Sequence, residues 1–176
     1  CYPDLPAIGN TPELVIISVP ARGVPEVLRQ CGQVRSKAAV VITAGFKEVG
    51  EEGMKLEQEL IAAARQSGIR VIGPNCLGVI VPSKRLNASF AGDLPAAGSI
   101  GYLSQSGALL AAILDMAVTG GIGFSSLVSI GNKSDVDELD IMRAMADDPD
   151  VRVIAGYLES IGDGRGRAGG FEKSLF

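Results

Sequence analysis

Two serines one residue apart, Ser104 and Ser106, stand directly before Gly107, where the apolar run Ser99–Leu103 gives way to a helical pattern. A turn of this kind leaves the first helical N–H groups without internal partners, at the end of the helix that carries partial positive charge. Gly107 lets the backbone approach a ligand closely. Two hydroxyls beside such a helix start make a cradle for a phosphate or a carboxylate. The same residues also read as an ordinary serine N-cap with no ligand at all. Ser-x-Ser-Gly has a superficial likeness to a nucleophile elbow, but the chain contains no histidine that could deprotonate a serine.

Three further places could carry chemistry. Gly131-Asn-Lys-Ser-Asp-Val-Asp137 lies between a strand pattern and a helix pattern, at the carboxyl edge where α/β sheets bind ligands. Lys133 could meet an anion there, while Asp135 or Asp137 could cap the helix. Glu159 closes the last strand pattern, on the same edge as the serine cradle, and could equally be a solvated strand-end acid. Asn75 and Cys76 sit in the turn-rich Gly73-Pro-Asn-Cys-Leu-Gly78, where a buried structural thiol is the plain alternative to a reactive one. No metal site is implied by any of these groups.

The composition excludes much else. The chain of 176 residues lacks histidine and tryptophan, which removes Ser-His-Asp triads, histidine-ligated metals and imidazole acid–base catalysis from what these residues do alone. Cys1, Cys31 and Cys76 are odd in number and widely spaced, so no disulfide or metal framework follows, and a reducing cytoplasm is the expected location. A net charge of −4 argues against a nucleic-acid surface. The apolar runs are too short to cross a membrane. With 47% hydrophobic residues, the chain has material for a sizeable core.

The elements that must position these groups alternate. Leu14–Val19, Ala38–Thr43 and Arg70–Ile72 read as strands, the first of them buried on both faces, and Pro25–Gly32 and Glu51–Gln66 read as the helices between them. On helix 51–66, Met54, Leu56, Leu60, Ile61 and Ala64 are the expected inward residues. From Val79 to Gly98 the periodicity fades into glycines and prolines, a stretch that reads as a linker of which parts could pair at a sheet edge. A second alternation runs through Ser99–Leu103, Gly107–Val118, Phe124–Ile130, Glu138–Ala146 and Val151–Leu158. Strands alternating with helices over short connections mean parallel α/β units. The division expected is residues 1–85, a linker at 86–98, a second unit at 99–165, and an irregular glycine-rich tail at 166–176. Three parallel strands with no opening strand leave an edge uncovered, so the chain reads as a fragment.

In order and spacing, Gly73–Gly78, Asn87-Ala-Ser-Phe90, Leu103-Ser-Gln-Ser-Gly-Ala-Leu109, Gly123-Phe-Ser, Val128–Asp137, Asp147-Asp-Pro149 and Tyr157-Leu-Glu159 resemble the α-subunit side of the nucleoside-diphosphate-forming acyl-CoA synthetases. Cys1-Tyr-Pro3 and Ser18-Val-Pro-Ala21 fit as well, and the resemblance covers about residues 1–165. The branch it looks most like is the ADP-forming acetyl-CoA synthetases, related to succinyl-CoA synthetase. The resemblance implies an incomplete Rossmann-like CoA-binding domain, lacking its first strand, followed by a flavodoxin-like, parallel α/β ligase domain. It implies that Val19, Pro20, Ile42, Thr43 and Ala44 line CoA, that Ser104, Ser106 and Gly107 hold phosphate with Lys133 nearby, and that Asn75 and Cys76 lie near the reacting centre. Glu159 would orient a transiently phosphorylated histidine supplied from outside this sequence. CoA would be a substrate, as would a small carboxylic acid. ATP and ADP with Mg2+ would be handled by a separate ATP-grasp domain or β subunit, in an oligomeric complete protein, and this piece alone would not turn over. Ala111 stands where succinyl-CoA synthetases have a tyrosine, which points away from succinate. Two other readings are a CoA-sensing module like that of synthetase-like protein lysine acetyltransferases, and a plain dinucleotide-binding domain. The second of these lacks a G-x-G-x-x-G fingerprint.

Overall fold

The computed structural model describes residues 1–161, so the expected tail at 166–176 lies outside the described residues. Two sheets share the chain. The first is parallel, in the order β1 (Leu14–Ile17), β2 (Ala38–Val41), β3 (Arg70–Ile72), with α1 (Val24–Gln33) and α2 (Glu51–Ser67) as the crossovers. Val15, Ile17, Ala39, Val41 and Val71 alternate onto one face and pack there against Val24, Leu28, Leu60 and Ala64 of the helices. Burial on both faces, expected for β1, is found instead at β2. Both helices lie on one side, so Leu14 and Ile16 point the other way and are 36% and 47% exposed.

Helix α2 also turns a different face inward from the one its apolar residues suggest. Gly53, Glu57, Leu60, Ala63 and Ala64 are buried, whereas Met54 is half exposed. The reason is the close approach of Phe46, whose carbonyl oxygen would lie 1.7 Å from a Cβ at position 53. Only glycine allows that contact, and it brings Glu57 to the interior.

The second sheet has the order β5 (Leu86–Ser89), β4 (Gly78–Val81), β7 (Gly123–Ser129), β6 (Ala96–Ser104), β8 (Val153–Tyr157), with α3 (Gly107–Gly120) and α4 (Glu138–Ala146) as its helices. Its β7, β6 and β8 are parallel, as expected, but β4 runs antiparallel to both β5 and β7. The residues read as a linker therefore carry β5 and the start of β6. The pairing at a sheet edge that this stretch allowed is present, as a β4–β5 hairpin whose residues are only partly buried, which is why periodicity alone did not bound the strands. The core of this half is built on Ile80, Leu110, Leu114, Phe124 and Leu127, with Tyr102 edge-on to Phe124.

The two sheets are joined by backbone. The loop after β7 returns to β3, where Val136 N–H donates to the Val71 carbonyl at 3.1 Å and Ser134 N–H to that of Gly73 at 3.1 Å. Asn132 N–H donates to the Pro74 carbonyl at 2.8 Å, and Asn75 N–H to that of Thr43 at 2.9 Å. Gly131, at φ +52°, is required there, since a Cβ would come 2.3 Å from the Pro74 oxygen. The carboxyl ends of β2, β3, β6 and β8 thus converge on one space.

Candidate functional site

That space is a cavity of about 570 Å³. From the first sheet come Ile42 and Ala44, from the β3–β4 turn Asn75, Cys76 and Leu77, and from β5 Phe90. The start of α3 contributes Gln105, Ser106, Gly107 and Ala108, with Ala111 a turn further on, and the segment just after β8 contributes Glu159. The lining includes apolar side chains (Leu77, Phe90, Ala111). It also includes the start of α3 and the Glu159 carboxylate.

The serine turn divides its labour. Ser106 is the N-cap of α3, its Oγ accepting from Leu109 N–H at 3.2 Å, a bond worth about 1 kcal/mol to the helix. Ser104 is buried beneath the turn. Its hydroxyl donates to the Ser106 carbonyl at 2.7 Å and accepts from Ser106 N–H at 3.2 Å. The sequence places both hydroxyls on the anion, but the structure uses Ser104 to shape the turn and leaves Ser106 and Gly107 on the cavity wall. The N–H groups of Gly107 and Ala108, first in the helix, are the ones that face no intrahelical acceptor.

Lys133 is not on the cavity wall. Its Nζ donates to Glu138 Oε2 at 3.0 Å and to the Ser160 carbonyl at 2.6 Å. Position 133 takes a left-handed backbone, φ +46°, which swings the side chain toward β8. Of the two aspartates, Asp137 caps α4, its Oδ1 accepting from Leu139 and Asp140 N–H. Asp135 instead accepts from Arg70 Nε at 2.9 Å and Val71 N–H at 2.8 Å, tying the second unit to the first. Val19, Pro20 and Thr43 lie beside the cavity's first-sheet wall, with Thr43 Oγ1 donating to the Val19 carbonyl at 2.7 Å.

Four residues that the sequence did not single out, Gln105, Asn132, Glu48 and Glu57, matter here. Gln105 lies between the two serines, and its Oε1 accepts from Glu159 N–H at 3.0 Å. Asn132 donates to Glu48 Oε2 at 2.7 Å and to Glu57 Oε2 at 2.9 Å, spanning the two units. Burial alone would raise the Glu48 carboxyl, but hydrogen bonds from Asn132 and from the N–H groups of Gly45 and Phe46 hold it below its ordinary value. A carboxylate on the buried side of α2, in step with Gly53, Leu60 and Ala64, was the available signal for Glu57.

Cys76 donates its Sγ–H to the Val41 carbonyl at 3.3 Å, and burial pushes its thiol up to about 12. Burial likewise pushes Cys31 up to about 11, whereas Cys1 is exposed. The thiolate is the reactive form, so Cys76 is a wall residue rather than a nucleophile. Iodoacetamide at mildly alkaline pH is expected to label Cys1 alone in the native chain and all three cysteines in urea, as read by mass spectrometry. Because the unfolded thiols ionise near 9.0, the stability contributed by their protonated folded forms is complete below that pH and is lost as pH climbs toward 11 and 12.

Among the described residues no group of three or more acidic, histidine or cysteine side chains could hold a metal ion, and no helix is long and apolar enough to cross a membrane.

Comparison with known proteins agrees with this architecture. A CoA binding domain family matches residues 1–82, and a family described as a succinyl-CoA ligase like flavodoxin domain matches residues 97–170. Acetate–CoA ligase (ADP-forming) I of Archaeoglobus fulgidus is 46% identical over 94% of this chain. The α subunit of acetate–CoA ligase (ADP-forming) I of Pyrococcus furiosus is 41% identical over 93%. The chain spans 24% of the first and 36% of the second. Among solved structures, an acetyl-coenzyme A synthetase 1 of Ca. Korarchaeum cryptofilum, in complex with phosphate and ADP, superposes with a TM-score of 0.89 at 43% identity, over 94% of this chain and 35% of that one. With both halves matched in order and relatives of this similarity spanning nearly all of it, the chain belongs to the α side of the ADP-forming acyl-CoA synthetases.

Proposed function

We propose that this chain is the CoA-handling and phosphate-holding part of an ADP-forming acid–CoA ligase. The reaction is acid + CoA + ATP ⇌ acyl-CoA + ADP + phosphate, through an acyl phosphate and a phosphohistidine supplied from outside the described residues. The observation that carries this reading is a single cavity shared by the carboxyl ends of both sheets. It brings Ile42 and Ala44 of the CoA-binding half to the start of α3. Val19, Pro20 and Thr43 support that wall, and Asn75 and Cys76 form the floor between the two halves. Ser106, Gly107 and Ala108 receive the phosphoryl oxygens, and Glu159 holds the incoming histidine. The apolar lining of Leu77, Phe90 and Ala111 takes the acyl tail, which suits a small monocarboxylic acid. The nucleotide and its Mg2+ belong to an ATP-grasp domain or β subunit, in a cytoplasmic and oligomeric protein. The two sheets are the two working units. The CoA-sensing alternative is not favoured, since the relatives described above are named as ligases.

The test is an assay of the complete synthetase with acetate, CoA and MgATP, following all products. Acyl-CoA, ADP and phosphate in equal amounts are expected; formation of AMP and pyrophosphate, or no acyl-CoA with any monocarboxylic acid, would refute the reading. On the chain itself, inorganic phosphate is expected to bind weakly, on the order of millimolar. Ser106→Ala should weaken that binding and Glu159→Gln should tighten it, because the carboxylate repels the anion while no histidine intervenes. A calorimetric titration in which neither change moves the affinity would reduce the turn to a capped helix start.

A further inference from the structure

Glu159 is exposed, and among the described residues its carboxylate makes no hydrogen bond or ion pair, yet its backbone is fixed from several directions. Gln105 N–H donates to the Tyr157 carbonyl at 2.9 Å. The Gln105 side chain then turns along the strand end, where Oε1 accepts from Glu159 N–H at 3.0 Å and Ser160 N–H at 3.2 Å. Its Nε2 donates to Ser160 Oγ at 3.3 Å. From the other side, Lys133 Nζ donates to the Ser160 carbonyl at 2.6 Å. Its charge is balanced by Glu138, and the two side chains are only 11% and 5% exposed. A lysine so enclosed brings no net charge to the cavity. What it supplies is a fixed donor.

We propose that Gln105 and Lys133 are positioning residues, a two-sided clamp that sets the direction of the Glu159 carboxylate toward the α3 start. The proposal rests on the ligase reading of the cavity given above. The clamp is anchored at both ends. Gln105 lies in the same turn as the phosphate-facing N–H groups, so any shift of that turn carries Glu159 with it. Lys133 lies next to Asn132, which is bonded to Glu48 and Glu57 of the CoA-binding half. The free carboxylate is therefore referenced to both walls of the cavity rather than to its own exposed strand end. Small displacements of a group that must meet a reacting partner lower rates by up to about a hundredfold.

The experiment uses the complete synthetase. Lys133→Met and Gln105→Leu are made singly and in a Glu159→Gln background, with Lys133→Arg as the conservative variant, and thermal melts report folding. Each single variant is expected to lower kcat by about tenfold to a hundredfold with the KM for CoA within about twofold. In the Glu159→Gln background the same changes are expected to have little further effect, because groups acting through one carboxylate are not additive. Lys133→Arg, which keeps a donor for Ser160 and Glu138, should restore most of the rate. An equal loss in both backgrounds, or full activity in Lys133→Met and Gln105→Leu, would overturn the clamp. Should Lys133→Met fail to fold, the partly exposed Gln105→Leu decides alone. A Glu159→Gln enzyme with full activity would overturn the role given to Glu159 itself, and the clamp with it, whereas a severe Glu159→Gln defect beside active clamp variants overturns the clamp only.

Discussion

Replacing Glu159 by glutamine in the complete synthetase is expected to lower turnover by about a hundredfold to ten-thousandfold, the range associated with a positioned proton-accepting or orienting group. The substitution keeps the size of the side chain and removes its charge. Glu159 is exposed at the end of β8, and among the described residues it makes no side-chain contact that folding would miss, so the melting temperature should be nearly unchanged. The KM for CoA should also be nearly unchanged, because Ile42 and Ala44, the proposed CoA-side residues, follow a strand of the other sheet. The loss should fall on kcat and on the amount of acid-labile phosphoenzyme trapped after mixing with ATP. A variant with normal phosphoenzyme and normal kcat would leave the residue as a solvated strand-end acid.

The second large effect concerns stability. Glu57→Leu is expected to destabilise the chain by about 3 kcal/mol, because it strands buried donors that the carboxylate now satisfies. Glu57 is 5% exposed. It accepts from Lys47 N–H at 3.1 Å, from Asn132 Nδ2 at 2.9 Å and from the Ser134 hydroxyl, and Lys47 Nζ lies 3.3 Å away. Asn132 and Ser134 belong to the second half of the chain, so the damage should also loosen the contact between halves. Glu57→Gln keeps acceptor capacity and should lose much less. Urea denaturation curves give both values; equal midpoints for Glu57→Leu and the parent chain would show that the network contributes nothing net. Glu48, in the same network, has a depressed carboxyl pKa. Its contribution is therefore present above the ordinary carboxylate range and is lost as pH falls through the lowered value.

Much of the chain was legible before any coordinates. Val15, Ile17, Ala39 and Val41 carry β-branched and small apolar residues in runs too short for helices, and Gly68 and Gly121 stop helices in left-handed conformations. An aspartate, Asp135 or Asp137, marked the start of α4, and the serine turn the start of α3, because a side-chain oxygen just before a helical pattern has a local job to do; the structure selects Asp137 and Ser106. These are interactions between near neighbours in sequence, and sequence patterns report near neighbours well. The order of motifs likewise sufficed to point to the family.

What only the tertiary structure decided involves partners far apart in the chain. The strand character of 86–89 depends on pairing with β4, and that of β4 on β7 nearly fifty residues later. The inward face of α2 was set by the backbone of Phe46 meeting Gly53, which overruled the apolar pattern and buried Glu57. Ser104 and Lys133 had the right chemistry for an anion, but one was consumed by its own turn and the other by Glu138 and Ser160. Gln105, with no motif value of its own, became the residue that joins the α3 start to Glu159. Residue type and spacing limit what a side chain can do; which partner it meets depends on the packing of the two sheets, and that is where the site was assembled.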